Sequence, residues 1–274
     1  MKNLGKTIFL TFILTLLPIV VFSQSQYRFD QISRAEGLSN ASISSIVQDQ
    51  YGFLWFGTQG GLNRYDGKNI KVYDHDPFDR NSLPRDLIQT LYLEKERDIL
   101  WVGTYHGLSR FDILSKNFTN YKHTYNESDS LSNDIVTSIV KTQDGNLWVG
   151  TLEGLNRFNP EKGTFTRYYH QEDEPGSVSH NTIRDLMVDS ENNLWVGTYG
   201  GLDRYDRKTD SFTHYEHDPQ DPGSLPAAAV MSIIQDSNGT IWAGTWGGGM
   251  SKLDRSSESF ETVSFAKKKI YILK

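Results

Sequence analysis

The chain has 274 residues, of which 37% are hydrophobic, 12% aromatic and 23% charged, with 23 Gly, 6 Trp and no Cys. This balance excludes a disordered tail, a collagen and a disulfide-stapled scaffold, and leaves enough chain to bury a core. A net charge of −6, with Lys and Arg scattered rather than clustered, gives no basic footprint for nucleic acid.

At the N-terminus, Lys2 and Lys6 precede an apolar run from Thr7 to Phe22 that ends in Val21-Phe22-Ser23-Gln24. The pattern reads as a secretory signal peptide over residues 1–23, removed in the mature protein. The run is about 16 residues, short of the roughly 20 that span a bilayer; an uncleaved anchor is the alternative. No Cys follows the cut, so lipid attachment there is excluded, and stability in an oxidising compartment does not rest on disulfides.

Beyond the signal the chain repeats itself. Leu54-Trp55-Phe56-Gly57-Thr58 returns as variants centred on Trp101, Trp148, Trp195 and Trp242, at spacings of 46, 47, 47 and 47 residues. A constant period in the range of about 40 to 50 is that of propeller blades. Inside each unit, short apolar runs alternate with turn residues, which reads as strands. In the fourth unit the predicted strands are Ile183 to Val188, Leu194 to Thr198, Leu202 to Tyr205 and Phe212 to Tyr215, with a long exit loop to Pro226. Four strands and a long loop make one antiparallel blade. The expectation is an all-β fold: a β-propeller of five four-stranded antiparallel blades over residues 24–265, as an open or partial ring, with an irregular tail over 266–274. Tyr27 to Ile32 reads as an extra fourth strand ahead of the first blade, one more than a closed ring needs, so the chain is expected to be a fragment of a longer reading frame.

Each repeated residue has a structural role available. The Trp series (Trp55, Trp101, Trp148, Trp195, Trp242) is expected to pack between adjacent blade faces, where large aromatics bury the most area. The Gly pairs 60–61, 200–201 and 247–248 suit turns with positive φ. Arg64, Arg110, Arg157 and Arg204 are expected to pair with neighbouring carboxylates.

This grammar of Leu-Trp-Val-Gly-Thr, Gly-Gly-Leu, Asn-Arg-Tyr-Asp and Phe-Thr-x-Tyr resembles the two-component regulator propeller repeat, from Tyr27 to about Phe265. The resemblance implies the periplasmic sensor region of a hybrid two-component histidine kinase of the kind abundant in gut Bacteroidetes, many of which respond to polysaccharide breakdown products. It also implies a homodimer in the intact protein, further sensor and kinase domains C-terminal to this region, and a periplasmic location. No His-box, ATP-lid or receiver-like pattern occurs in the 274 residues, so kinase activity is not expected in this chain.

Candidate ligand-binding residues come from the loops that a propeller gathers at one mouth of its channel. After each Gly-Thr stand Gln59, Tyr105, Leu152, Tyr199 and Trp246, aromatic in three of five cases where no turn demands it; aromatic faces suit sugar rings. At the entry to each first strand stand Asn40, Arg85, Asn133, His180 and Ala227, a varied polar set. The candidates are Arg85, Tyr105, His106, Asn133, His180, Tyr199 and Trp246, for an oligosaccharide or other small molecule; the alternative is that both sets are ordinary solvated loop residues.

Catalytic signatures are missing: no Cys nucleophile, His-Glu-x-x-His helix, Gly-x-Ser-x-Gly elbow or phosphate-cradling loop occurs. The seven histidines look dispersed, no metal or cofactor is expected, and the acidic runs around Asp76 and Asp218 read as turn initiators rather than calcium loops. The enzymatic rival is a lyase or hydrolase acting on a carbohydrate at the channel mouth, for which His106, Glu153, Asp86 and His180 are the only loosely suitable residues.

Overall fold

The computed structural model describes residues 29–263. The expected signal peptide and the tail over 266–274 lie outside the described residues. Of the extra strand expected over Tyr27 to Ile32, residues 29–32 form no strand.

Among the described residues, twenty strands form five separate four-stranded antiparallel sheets, each ordered as a simple meander. Blades 1 to 5 open with first strands Ile43–Gln48, Ile88–Glu94, Val136–Lys141, Ile183–Val188 and Val230–Gln235. The Trp strands come second: Leu54–Thr58, Ile99–Thr104, Leu147–Thr151, Leu194–Thr198 and Ile241–Thr245. Blade 4 continues with Leu202–Asp206 and Ser211–Tyr215, within one residue of the expected bounds, and the fourth strand of blade 5 is Ser259–Thr262; residues 264–265 of the expected strand lie outside the described residues. The first strands of successive blades lie side by side, as in a propeller, where they line the axis.

The blades are held together by the repeated residues. Trp55 lies edge-on to Phe111 at 5.5 Å between ring centres, Trp101 to Phe158 at 5.6 Å and Trp148 to Tyr205 at 4.7 Å, each partner belonging to the following blade. The Gly after each Trp leaves a notch for that same neighbour. A Cβ built on Gly57 would meet Ile88 Cγ2 at 2.7 Å, and one on Gly103 would meet Val136 Cγ1 at 2.7 Å. The buried indole N–H groups of Trp55, Trp101 and Trp195 donate to Asp49, Glu94 and Asp189 at 2.8, 2.5 and 2.9 Å, which removes the penalty of burying a donor unpaired.

The arginine series divides. Arg157 Nη1 reaches Asp210 at 3.2 Å and Arg204 reaches Glu258 at 3.8 Å, both in the next blade, whereas Arg110 pairs with Asp112 of its own blade at 3.9 Å. Arg64 instead stacks over the Phe53 ring at 4.6 Å. One turn assignment is corrected: Gly61 has φ +107, but neither Gly200 nor Gly201 lies in the left-handed region. The pair is required by close approach instead, since a Cβ on Gly201 would stand 2.5 Å from the Tyr215 carbonyl oxygen.

Candidate functional site

The turns between second and third strands and the loops entering each next blade share one face, because they bond to one another. The N–H groups of Gly61, Gly107 and Gly154 donate to the carbonyls of Asp86, Asp134 and Asn181, each at the entry to the following blade, at 2.9, 2.7 and 2.7 Å. The side chains of the same three acceptors take the backbone N–H of His75, His123 and His170 at 2.6, 2.7 and 2.7 Å. These histidines, with His217, are not dispersed as the sequence reading had it. They hold equivalent places in the four interblade loops, and each ring Nδ1 bonds the carbonyl eight residues on, at Leu83, Leu131, Val178 and Leu225. A carbonyl can only accept, so Nδ1 carries the proton in all four.

Below this face runs a second repeated network. Ser39, Ser132 and Ser179 donate their backbone N–H to Asn63, Asn156 and Asp203 at 2.9 Å in each case. Their hydroxyls meet the motif threonines Thr58, Thr151 and Thr198 at 3.0, 2.9 and 2.7 Å. In blades 2 and 5 the serine is replaced by Pro84 and Pro226, which have no N–H, and the acceptor is replaced by Ser109 and Ser251.

On this scaffold the predicted ligand residues separate into two groups. Asn133 Oδ1 accepts from Ile135 N at 2.8 Å and His180 Nδ1 from Thr182 N at 2.9 Å, as Asn40 does from Ser42 N at 2.8 Å. At three of the five equivalent places the variation therefore conceals a local duty, that of closing the turn into the first strand. Burial, and secondarily the charge of His170, lowers the His180 pKa from its ordinary value, keeping the ring neutral and able to accept. Asn133 also reaches Glu153 at 3.4 Å.

The second group turns its side chains outward. Tyr105, Tyr199 and Trp246 are fixed by their backbone N–H groups, which donate to Leu87, Thr182 and Ala229, while the rings stay 40%, 44% and 74% exposed. Arg85 is exposed, and His106 is exposed with Nδ1 bonded to the adjacent Tyr105 carbonyl at 2.9 Å. The Tyr199 ring lies 5.9 Å from His180 and 5.8 Å from the Arg184 guanidinium. Tyr105 and Gln59 border one cleft of about 430 Å³ between blades 1 and 2, with Ser42, Gln89 and Leu87 among its walls. It offers one aromatic face, two amides and the hydroxyls of Ser42 and Ser44 beside the apolar Ile43, Leu87 and Ile88, a set suited to a polyhydroxylated ligand.

Each of the four residues of the enzymatic alternative has a hydrogen-bond partner outside the set. Asp86 is committed to His75 N and His180 to Thr182 N, and neither is bonded to His106 or Glu153. Among the described residues no cluster of three or more His, Asp or Glu side chains is placed to hold a metal ion. The aspartates of the acidic runs cap their own turns: Asp76 accepts from Phe78 N and Asp218 from Gln220 N. No helix among the described residues is long and apolar enough to cross a membrane.

Comparison with known proteins places this architecture. Residues 89–242 match the family described as SMP-30/Gluconolactonase/LRE-like region, and residues 37–60 match the two component regulator propeller. Histidine kinase P4 of Formosa agariphila is 37% identical over 84 residues, which are 30% of this chain and 6% of that protein. The extracellular domain of a hybrid two-component system from Bacteroides thetaiotaomicron superposes with a TM-score of 0.74 at 27% identity, covering 85% of this chain and 31% of that one. Virginiamycin B lyase from Staphylococcus aureus shares the fold at a TM-score of 0.58 and 14% identity, covering 80% of this chain and 69% of that one. The chain thus spans a small part of the two-component relatives it matches. With its central blades inside the first family and its repeat grammar that of the second, the chain belongs to the SMP-30/gluconolactonase/LRE-like family of β-propellers and carries the two-component regulator propeller repeat.

Proposed function

We propose that this chain is the ligand-sensing propeller of a two-component sensor, exported to the periplasm, and that it binds an oligosaccharide on the face bearing Tyr105, Tyr199 and Trp246. The kinase output lies in other domains of the intact, homodimeric protein. The observation that carries the reading is the cleft of Gln59 and Tyr105, together with the outward rings of Tyr199 and Trp246 at the equivalent positions. At all three positions a backbone hydrogen bond presents an aromatic ring to solvent. Tyr and Trp are enriched where proteins meet a partner, since one end of the side chain is apolar and the other polar. Likeness to the extracellular domain of a hybrid two-component system supports the sensor class, and the commitment of Asp86 and His180 to backbone N–H groups favours binding over turnover.

The test is calorimetric titration of the protein with a panel of oligosaccharides, followed by chromatography of each mixture for products. Saturable binding without product release is expected. Tyr105→Ala, Tyr199→Ala or Trp246→Ala is expected to weaken binding by about tenfold each, the loss of one ring-stacking contact. Product release would favour a carbohydrate-active enzyme, and full binding by the triple variant would remove the aromatic site.

A further inference from the structure

The first strand of every blade carries one residue more than its Trp strand can pair. The register slips between Ile43 and Ser45, Ile88 and Thr90, Val136 and Ser138, Ile183 and Asp185, and Val230 and Ser232. The residues left out of the ladder are Ser44, Gln89, Thr137, Arg184 and Met231. Such a bulge re-aims the side chain of its extra residue and recurs beside binding sites. The fold calls for the bulge without calling for the residue, since Ser, Gln, Thr, Arg and Met all occupy it.

Blades 1 and 2 show where these side chains stand. Ser44 and Gln89 line the same cleft as Gln59 and Tyr105, so the bulge residue and the residue after the Gly-Thr motif meet at one place. The same two positions meet in blade 4, where the Arg184 guanidinium lies 5.8 Å from the outward Tyr199 ring.

Arg184 is half-buried and its Nε is buried without a hydrogen-bond partner. Its two terminal nitrogens are not buried, and among the described residues none of the three makes a hydrogen bond or an ion pair. The adjacent carboxylate is engaged elsewhere: Asp185 Oδ1 accepts from the Leu186 N–H at 2.9 Å and Ser138 Oγ at 3.2 Å, and Oδ2 from the Ile233 N–H at 2.8 Å. Other half-buried arginines are paired, Arg157 with Asp210 at 3.2 Å and Arg255 with Asp189 at 2.6 Å. Arg64 shares the unpaired Nε but belongs to a third strand and lies over Phe53, away from the bulges. A cation that loses part of its water without gaining a counter-charge costs folding energy. A guanidinium with two open terminal nitrogens is also the group that takes a carboxylate or sulfate through two parallel hydrogen bonds.

We propose that Arg184 binds an anionic group of the ligand, a carboxylate or a sulfate ester, while Tyr199 stacks on the sugar that carries it. The ligand of this face is then an acidic oligosaccharide, an assignment that rests on the reading of the Tyr105, Tyr199 and Trp246 face as an oligosaccharide site.

The test is calorimetric titration of the full chain with uronate oligosaccharides, each beside its carboxyl-reduced counterpart, and with sulfated oligosaccharides, each beside its desulfated counterpart. The two arms distinguish carboxylate from sulfate. In one arm the acidic member is expected to bind at least about tenfold more tightly than its neutral counterpart, the strength of a charge-assisted hydrogen-bonded pair. Arg184→Gln, which places there the residue that blade 2 carries at Gln89, is expected to erase that preference. Arg184→Lys is expected to keep part of it, because the charge survives and the two-pronged geometry does not. Melting supplies a readout apart from binding: Arg184→Gln is expected to melt no lower than wild type, since it removes an unpaired charge, whereas a structural role for Arg184 would lower the melting temperature. Equal affinity for acidic and neutral members in both arms would overturn the proposal and leave the oligosaccharide reading standing. So would a preference that survives in Arg184→Gln and is lost in Arg85→Gln. Failure of every member to bind would overturn both.

Discussion

Ile183 of blade 4 lies over Gly150 of blade 3 so closely that a Cβ on the glycine would stand 2.7 Å from the isoleucine Cγ2 and 3.1 Å from its Cβ. No real side chain tolerates that separation, so either the isoleucine retreats or the blades part. Gly150→Ala is therefore expected to destabilise the fold by about 1–3 kcal/mol, the cost of overpacking a filled core. Gly244→Ala, at the equivalent but empty notch, is expected to stay within about 0.5 kcal/mol of wild type. Urea unfolding followed by tryptophan fluorescence compares the two.

Asn156 and Ser132 form the second relationship open to test. Both are buried, and Asn156 Oδ1 is the acceptor for the Ser132 N–H at 2.9 Å. Asn156→Ser leaves that N–H unpaired and is expected to cost about 1–3 kcal/mol. Blades 2 and 5 indicate the remedy, since their Pro84 and Pro226 remove the donor where Ser109 and Ser251 stand. Adding Ser132→Pro to Asn156→Ser is expected to recover part of the loss. A double-mutant cycle on the same unfolding assay measures the coupling.

Asp189 takes five donors at once: the backbone N–H of Glu191 at 3.0 Å and of Asn193 at 2.8 Å, Trp195 Nε1 at 2.9 Å, Asn193 Nδ2 at 3.0 Å and Arg255 Nη2 of blade 5 at 2.6 Å. Burial works to raise its pKa, but the Trp195, Asn193 and Arg255 contacts outweigh it and hold the carboxyl below the ordinary carboxylate value. A depressed carboxylate stabilises the fold above its unfolded pKa of about 3.9, and that contribution is lost as the pH falls through the folded value. Asp189→Asn is expected to be less stable than wild type at neutral pH and to show a shallower loss of stability on acidification. Melting temperatures from neutral pH down to the acid limb test this.

His214 titrates in the opposite sense. Its Nδ1 bonds the fully buried Asp203 at 2.8 Å and its Nε2 the Pro175 carbonyl at 2.8 Å, so the ring is held as a double donor. The Asp203 hydrogen bond leads the causes that raise its pKa above the usual histidine value, against a smaller opposing effect of burial. A raised histidine contributes fully below its unfolded pKa of about 6.5, and the contribution declines as the pH climbs through the folded value. Wild-type protein is expected to lose stability across that alkaline-going window. His214→Asn, which does not titrate, is expected to show a flatter profile over the same range.

The strand pattern was legible because it is local. Ile183–Val188 and Leu194–Thr198 fall where the alternation of apolar runs and turn residues put them, and a repeated Trp needs a neighbouring face to bury against. The histidines of the interblade loops were legible too, at spacings of 48, 47 and 47 between His75, His123, His170 and His217, but only when sought as a period rather than as ligands. The roles of Asn133 and His180 were not legible. Whether a polar side chain turns back to its own backbone or out to solvent depends on the direction of the chain at that residue, which no spacing encodes.

By itself the sequence determined the blade: its four strands, its turns and the residues that each blade presents to its neighbours, all set by interactions within a few tens of residues. The tertiary structure alone decided which of those faces are covered. Ile43 and Ile183 carry the same side chain in the same register, yet one is exposed and the other fully buried. The difference is that blade 3 packs against Ile183, whereas among the described residues no blade packs against Ile43. Burial is a property of the pair of surfaces that meet, and a repeat specifies the surface without specifying the meeting.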